Sequence, residues 1–143
     1  MGKIRVASKS GKEGEGTAQG GARLSRKKLD RGLVCIEATY NNTKLCLTDM
    51  TGNIVSWSSS GTLGFKGAKK GTPFAAAKVG EHLGEIGKTL GVREVGIVVK
   101  GVGSGRESAI RAFVAKSGAG ISFIEDRTPV PFNGPKPKKA RRV

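Results

Sequence analysis

The chain has 143 residues, with 26 Lys and Arg against 11 Asp and Glu, a formal net charge of +15 and a pI near 10.4. Nothing in it approaches the ~18 consecutive apolar residues of a membrane span. A charge of this size speaks about an anionic partner, not about fold: nucleic acid is the first candidate and an anionic membrane surface the second.

The charge is unevenly spread. Residues 1–32 carry nine cations against Glu13, Glu15 and Asp30, residues 33–126 carry eleven against eight acids, and residues 127–143 carry six against none. The organisation this predicts is a basic, Gly-rich flexible arm over 1–32, a nearly balanced folded body over 33–126, and a Pro-rich basic arm over 127–143. Neither arm holds enough apolar surface to offset the ~1–2 kcal/mol per residue that ordering costs. The absence of an apolar run after the first basic residues argues against export, and Glu13 and Glu15 argue against an organellar transit peptide. A cytoplasmic location is expected.

From residue 33 the texture changes. Leu33 to Ala38 predicts a first strand, Asn41-Asn42-Thr43 a turn, and Leu45-Cys46-Leu47 a second strand closed by Asp49–Asn53. Ile54, Val55 and Trp57 begin a third, so the three make an antiparallel meander. Cys35 and Cys46, the only cysteines, are expected as small buried core residues in a reducing compartment. With a lone His82 they cannot complete a zinc site, and no metal or cofactor is expected.

The stretch 58–71 reads as a Gly/Ser/Lys loop whose Phe65 either stacks on a base or anchors the loop in the core, the second being the expectation because isolated aromatics usually pack. Thr72-Pro73 opens a helix as N-cap and first residue. Val79, Leu83, Ile86 and Leu90 give it one buried face, and Gly91 ends it. Residues 93–100 predict a fourth strand with a near-continuous apolar run, as in a central strand covered on both faces. Ser104 and Glu107 have the spacing of a capping box for a second helix, with Ile110, Phe113 and Val114 as its buried stripe. Ile121, Phe123 and Ile124 form a fifth strand. The order β-β-β-α-β-α-β makes the fold class α/β: a mixed five-stranded sheet with two main helices and right-handed crossovers.

Two segments imitate nucleotide enzymes. Residues 82–89 end like a phosphate-binding loop, but they lie inside the helical pattern, where backbone amides are already used. GVGSGR (101–106) follows a strand and opens a helix, yet Arg106 stands where a dinucleotide fingerprint needs its third Gly. A Gly-rich loop at a helix start, flanked by Lys100 and Arg106, can still hold a phosphate of any origin, including RNA backbone. Lys66, Lys69 and Lys70 among glycines form a second such surface, and the Asn41 and Asn42 amides can bond phosphate or base edges. No nucleophile–base pair emerges, so an enzyme is not expected; a nucleotide-dependent enzyme using 100–106 is the competing reading.

YNNT (40–43), GFKGAKKGTPFAA (64–76), VKGVGSGRESAIRA (99–112) and DRTPVPFNGPKPKKARRV (126–143) resemble, in one register from about residue 30 to the end, the family of small-subunit ribosomal protein eleven. The sequence departs from it at Val102 and Ser104, where the family usually carries prolines, and at Phe132 and Pro135, where it carries His and Cys. The resemblance implies a ribonuclease-H-like three-layer fold without catalytic carboxylates. It further implies a place on the small-subunit platform, bridging helices of 16S-type ribosomal RNA beside ribosomal proteins seven and eighteen and near the messenger's Shine–Dalgarno duplex, without homo-oligomerisation. By position, it implies RNA contacts from Asn41, Asn42, Lys66, Lys69, Lys70 and Arg106, to which the phosphate-loop reading adds Lys100. In the tail it implies them from Arg127, Asn133, Lys136, Lys138, Lys139, Arg141 and Arg142, with Asn133 able to carry an isoaspartyl link.

Overall fold

The computed structural model describes residues 28–142. Five strands and two long helices follow in the order β1 Arg31–Ala38, β2 Thr43–Thr48, β3 Ile54–Ser59, α1 Pro73–Leu90, β4 Glu94–Lys100, α2 Arg106–Ser117 and β5 Gly120–Asp126. They form one mixed sheet of order β3-β2-β1-β4-β5, antiparallel from β3 to β1 and parallel from β1 to β5. The expected α/β class, five-stranded mixed sheet and two helices are all present.

Alternation along the strands decides what each face does. Val34 and Ile36 of β1, Leu45 and Leu47 of β2, and Val95, Ile97 and Val99 of β4 are buried in one cluster with Val79 and Leu83 of α1 and Ala109 and Phe113 of α2. Both helices therefore lie on the same face. The topology requires it: the β3-to-β4 and β4-to-β5 crossovers advance in the same direction across the sheet, so a shared hand puts both helices on one side. The helices pack closely through Gly80 and Gly84. A Cβ on Gly80 would stand 2.6 Å from the Ala109 carbonyl oxygen, and one on Gly84 would stand 2.8 Å from the Lys116 Cβ.

The other face of the sheet carries no helix among the described residues, and the third layer of a ribonuclease-H-like architecture has no counterpart there. Central β4 is thus covered by helices on one side only. On its other side Gly96 is buried because the Phe123 ring and the Leu33 side chain cross over it, where a Cβ would meet them at 2.4 and 2.8 Å. Cys35 and Cys46 are also on this open face. They are half-buried and free, not core residues, and they sit directly opposite each other in the β1–β2 register.

The body reaches further back than residue 33. β1 begins at Arg31, Leu29 packs against the core, and its N–H donates to the Leu90 carbonyl at 3.1 Å. The rest of the predicted N-terminal arm, residues 1–27, lies outside the described residues. No described helix is long and apolar enough to cross a membrane.

Candidate nucleic-acid interface

Three segments meet at the end of the sheet where β1 and β4 finish. The turn between β1 and β2 is closed by Thr39, whose N–H donates to the Asn42 carbonyl at 2.9 Å and whose hydroxyl accepts from the Asn42 N–H at 3.1 Å. On one side of this turn Gly71 approaches so closely that a Cβ would stand 2.2 Å from the Tyr40 carbonyl oxygen; on the other, Gly103 leaves 2.3 Å to that of Thr39. The Gly103 N–H donates to the Ala38 carbonyl at 2.9 Å, and the Ser104 hydroxyl reaches across to the Gly71 carbonyl. Two glycine loops therefore clamp one turn, backbone against backbone, and each opens a helix pointing away from the same end.

Each helix start is built differently. Thr72 caps α1, its side chain accepting from the Ala75 N–H at 3.3 Å, with Pro73 at the first position as the sequence predicts. A short 3-10 helix over Gly67–Gly71, not foreseen, precedes it and displays Lys66 and Lys69, with Lys70 half-buried. Phe65 does not enter the core; it is half-buried and meets Phe74 edge-on at 6.1 Å. The predicted capping box of α2 does not form. Gly105 is its N-cap, no side chain caps it, and Ser104 spends its hydroxyl on Gly71. An uncapped helix start keeps free N–H groups and a positive dipole end, which suits an anion.

The predicted contact residues divide into three groups. Lys66, Lys69, Lys70 and Lys100 form no ion pair among the described residues, so their charges are open to a partner. Asn41 is exposed, whereas Asn42 is half-buried and its side-chain oxygen is buried without a partner among the described residues. Arg106 is engaged within the chain: its guanidinium donates to the Gly101 carbonyl and the Thr128 hydroxyl and pairs with Asp126. Arg127 pairs with Glu125 at 2.9 Å. Beyond them the tail is exposed, carrying Lys136, Lys138, Lys139, Arg141 and Arg142, with Asn133 in the left-handed region at φ 51°.

Two acids near this end, Glu125 and Asp126, are paired within the chain. The Thr128 hydroxyl and then Arg106 hold the Asp126 carboxyl down at about 2, and Arg127 lowers that of Glu125. The space above Gly101, Gly103 and Gly105 that a dinucleotide would need is filled by Ala38, Thr39 and Thr43. Residues 82–89 lie inside α1, as expected.

The profile of the family described as Ribosomal protein S11 matches residues 32–142. The chain belongs to the ribosomal protein S11 family. Relatives named small ribosomal subunit protein uS11 include that of Thermosipho africanus, 52% identical over 121 residues that cover 82% of this chain and 93% of the relative. The Sulfurovum protein is 48% identical over 83% of this chain and 96% of its own length, and that of Helicobacter pylori strain G27 is 49% identical over 85% and 92%. The family is a structural one, not a family of enzymes.

Proposed function

We propose that this protein is a structural, RNA-binding constituent of the small ribosomal subunit. In this reading it docks on the platform through its loop end, bridges helices of 16S-type ribosomal RNA beside ribosomal proteins seven and eighteen, and helps form the cleft for the Shine–Dalgarno duplex in the cytoplasm. The observation that carries the reading is the convergence of the Asn41 turn, the starts of α1 and α2 and four unpaired lysines at one end of a family member's sheet. A rigid cluster of N–H groups and cations loses little entropy on meeting phosphate, and it fixes where the flexible tail begins. The tail then orders along RNA, where counterion release offsets its lost freedom.

Fractionating cells in moderate salt tests this. The protein should co-sediment with small subunits, and crosslinks to ribosomal RNA should map to residues 39–42, 66–70 and the tail. A free protein carrying bound dinucleotide would overturn the reading.

A further inference from the structure

The open face of the sheet holds a hollow of about 420 Å³ just below the loop end, a volume in the range of small-molecule sites. Its floor is Cys35, Cys46 and Val98, all half-buried. Lys44, Lys100 and Arg127 stand on its rim with Glu37. We propose that this hollow receives one unpaired nucleobase of the bound RNA, stacked on the Arg127 guanidinium, with a neighbouring phosphate at Lys100. The proposal rests on the RNA-binding reading and adds to it a place where a base, not only backbone, is held.

Four observations carry it. Arg127 donates one hydrogen bond to Glu125 at 2.9 Å, which tethers the guanidinium at the rim while the side chain stays well exposed, and guanidinium planes are surfaces on which unstacked RNA bases rest. The floor is small, soft and apolar, which suits the flat face of a base; a stable protein partner needs on the order of 800 Å² from each side, far more than three short side chains supply. Glu37 and Lys44, 4.0 Å apart, are too loosely joined to satisfy each other, so the rim offers an acceptor and donors to a base edge. Lastly, the hollow is continuous with the interface: Lys100 leads through residues 101–105 to the uncapped α2, and Arg127 directly into the basic tail. An RNA strand following either one passes over the rim.

The two cysteines make the test direct. Free full-length protein and intact small subunits are treated with N-ethylmaleimide, and separate subunits are irradiated with ultraviolet light; adducts on Cys35 and Cys46 are then located by mass spectrometry. Labelling follows the unfilled fraction of the site, so a site near saturation slows it by about tenfold or more. Expected are that protection and a nucleotide adduct on one of the two thiols. Arg127→Lys keeps the charge and removes the plane, and it should lower the adduct yield several-fold when that yield is counted per copy of the protein recovered in small subunits. Thiols labelled at the free-protein rate, protection without a nucleotide adduct, a peptide adduct from another protein, or a yield indifferent to Arg127→Lys each overturn the proposal. Failure of the RNA-binding reading registers separately, because charge reversal of Lys69 and Lys70 leaves the hollow intact and would then leave RNA affinity unchanged.

Discussion

The Ser104 hydroxyl donates to the Gly71 carbonyl oxygen at 2.9 Å, tying the loop after β4 to the loop before α1 across 33 residues of sequence. The bond matters less than the closeness that allows it. A Cβ on Gly71 would overlap the Tyr40 carbonyl oxygen and leave the Asn41 Cα only 3.3 Å away, and both are backbone atoms that cannot swing aside. Gly71→Ala should therefore cost about 1–3 kcal/mol, as overpacking does, whereas Ser104→Ala loses one exposed hydrogen bond worth about 0.5–1.5 kcal/mol. Denaturant midpoints at constant m-value measure both. Equal losses would mean that backbone contact is not what fixes the loops.

Charge reversal separates the loop from generic electrostatics. Lys69→Glu with Lys70→Glu should weaken binding to a ribosomal RNA fragment more than Lys3→Glu with Arg5→Glu. The first pair stands on a 3-10 helix whose end is held by the Thr72 hydroxyl donating to the Lys69 carbonyl at 2.7 Å, so docking it loses little conformational freedom. Filter binding on one RNA decides. The same loss from both double variants would reduce the lysine loop to a diffuse charge.

The elements were legible where the signal was local. Thr72-Pro73 and Gly91 mark both ends of α1 because capping chemistry is written in adjacent residues, and period-two burial marks the strands. Readings that depended on distant partners went astray. Ser104 and Glu107 have the capping-box spacing, but Gly71 takes the Ser104 hydroxyl, and no local window contains Gly71. Gly80 and Gly84 interrupt an apolar helix pattern without announcing that α2 will press against them. Cysteine in an apolar run looks buried until the helix layer proves to cover only one face. Charge and spacing single out Lys66, Lys69, Lys70 and Lys100, which form no ion pair among the described residues; Arg106 looked equally free because Asp126, twenty residues on, is placed beside it only by the pairing of β5 with β4.

Removing residues 134–143 takes away Lys136, Lys138, Lys139, Arg141 and Arg142. All five are exposed, so the melting behaviour of the body should not change. If about three of them neutralise phosphates, the slope of log affinity against log salt should shrink by roughly 2–3, at ~0.7–0.9 per contact. A salt titration with the same slope before and after truncation would show that the tail does not follow RNA.

The base of the tail should be acid-labile in a definite window. The Asp126 carboxyl accepts from the Thr128 hydroxyl and N–H and pairs with Arg106, which lowers it from 3.8 to about 2. A carboxylate lowered by folding contributes stability that is present above its unfolded value and lost as pH falls through its folded value, so the clasp should loosen between about pH 4 and pH 2. Asp49 is also lowered to about 2, by Thr51 and Asn53 at a distant turn, so a global melt cannot assign the loss and a local readout is needed. The Gly101 N–H donates to the Thr128 hydroxyl at 3.2 Å, which makes its exchange rate report on the clasp. Carboxyl titration by NMR should place Asp126 near 2, and Thr128→Ala should move it up toward 3.8 and speed Gly101 exchange while leaving Asp49 unmoved. An Asp126 midpoint at the ordinary carboxylate value in the unaltered protein would show that the Arg106–Asp126–Thr128 clasp does not hold in solution.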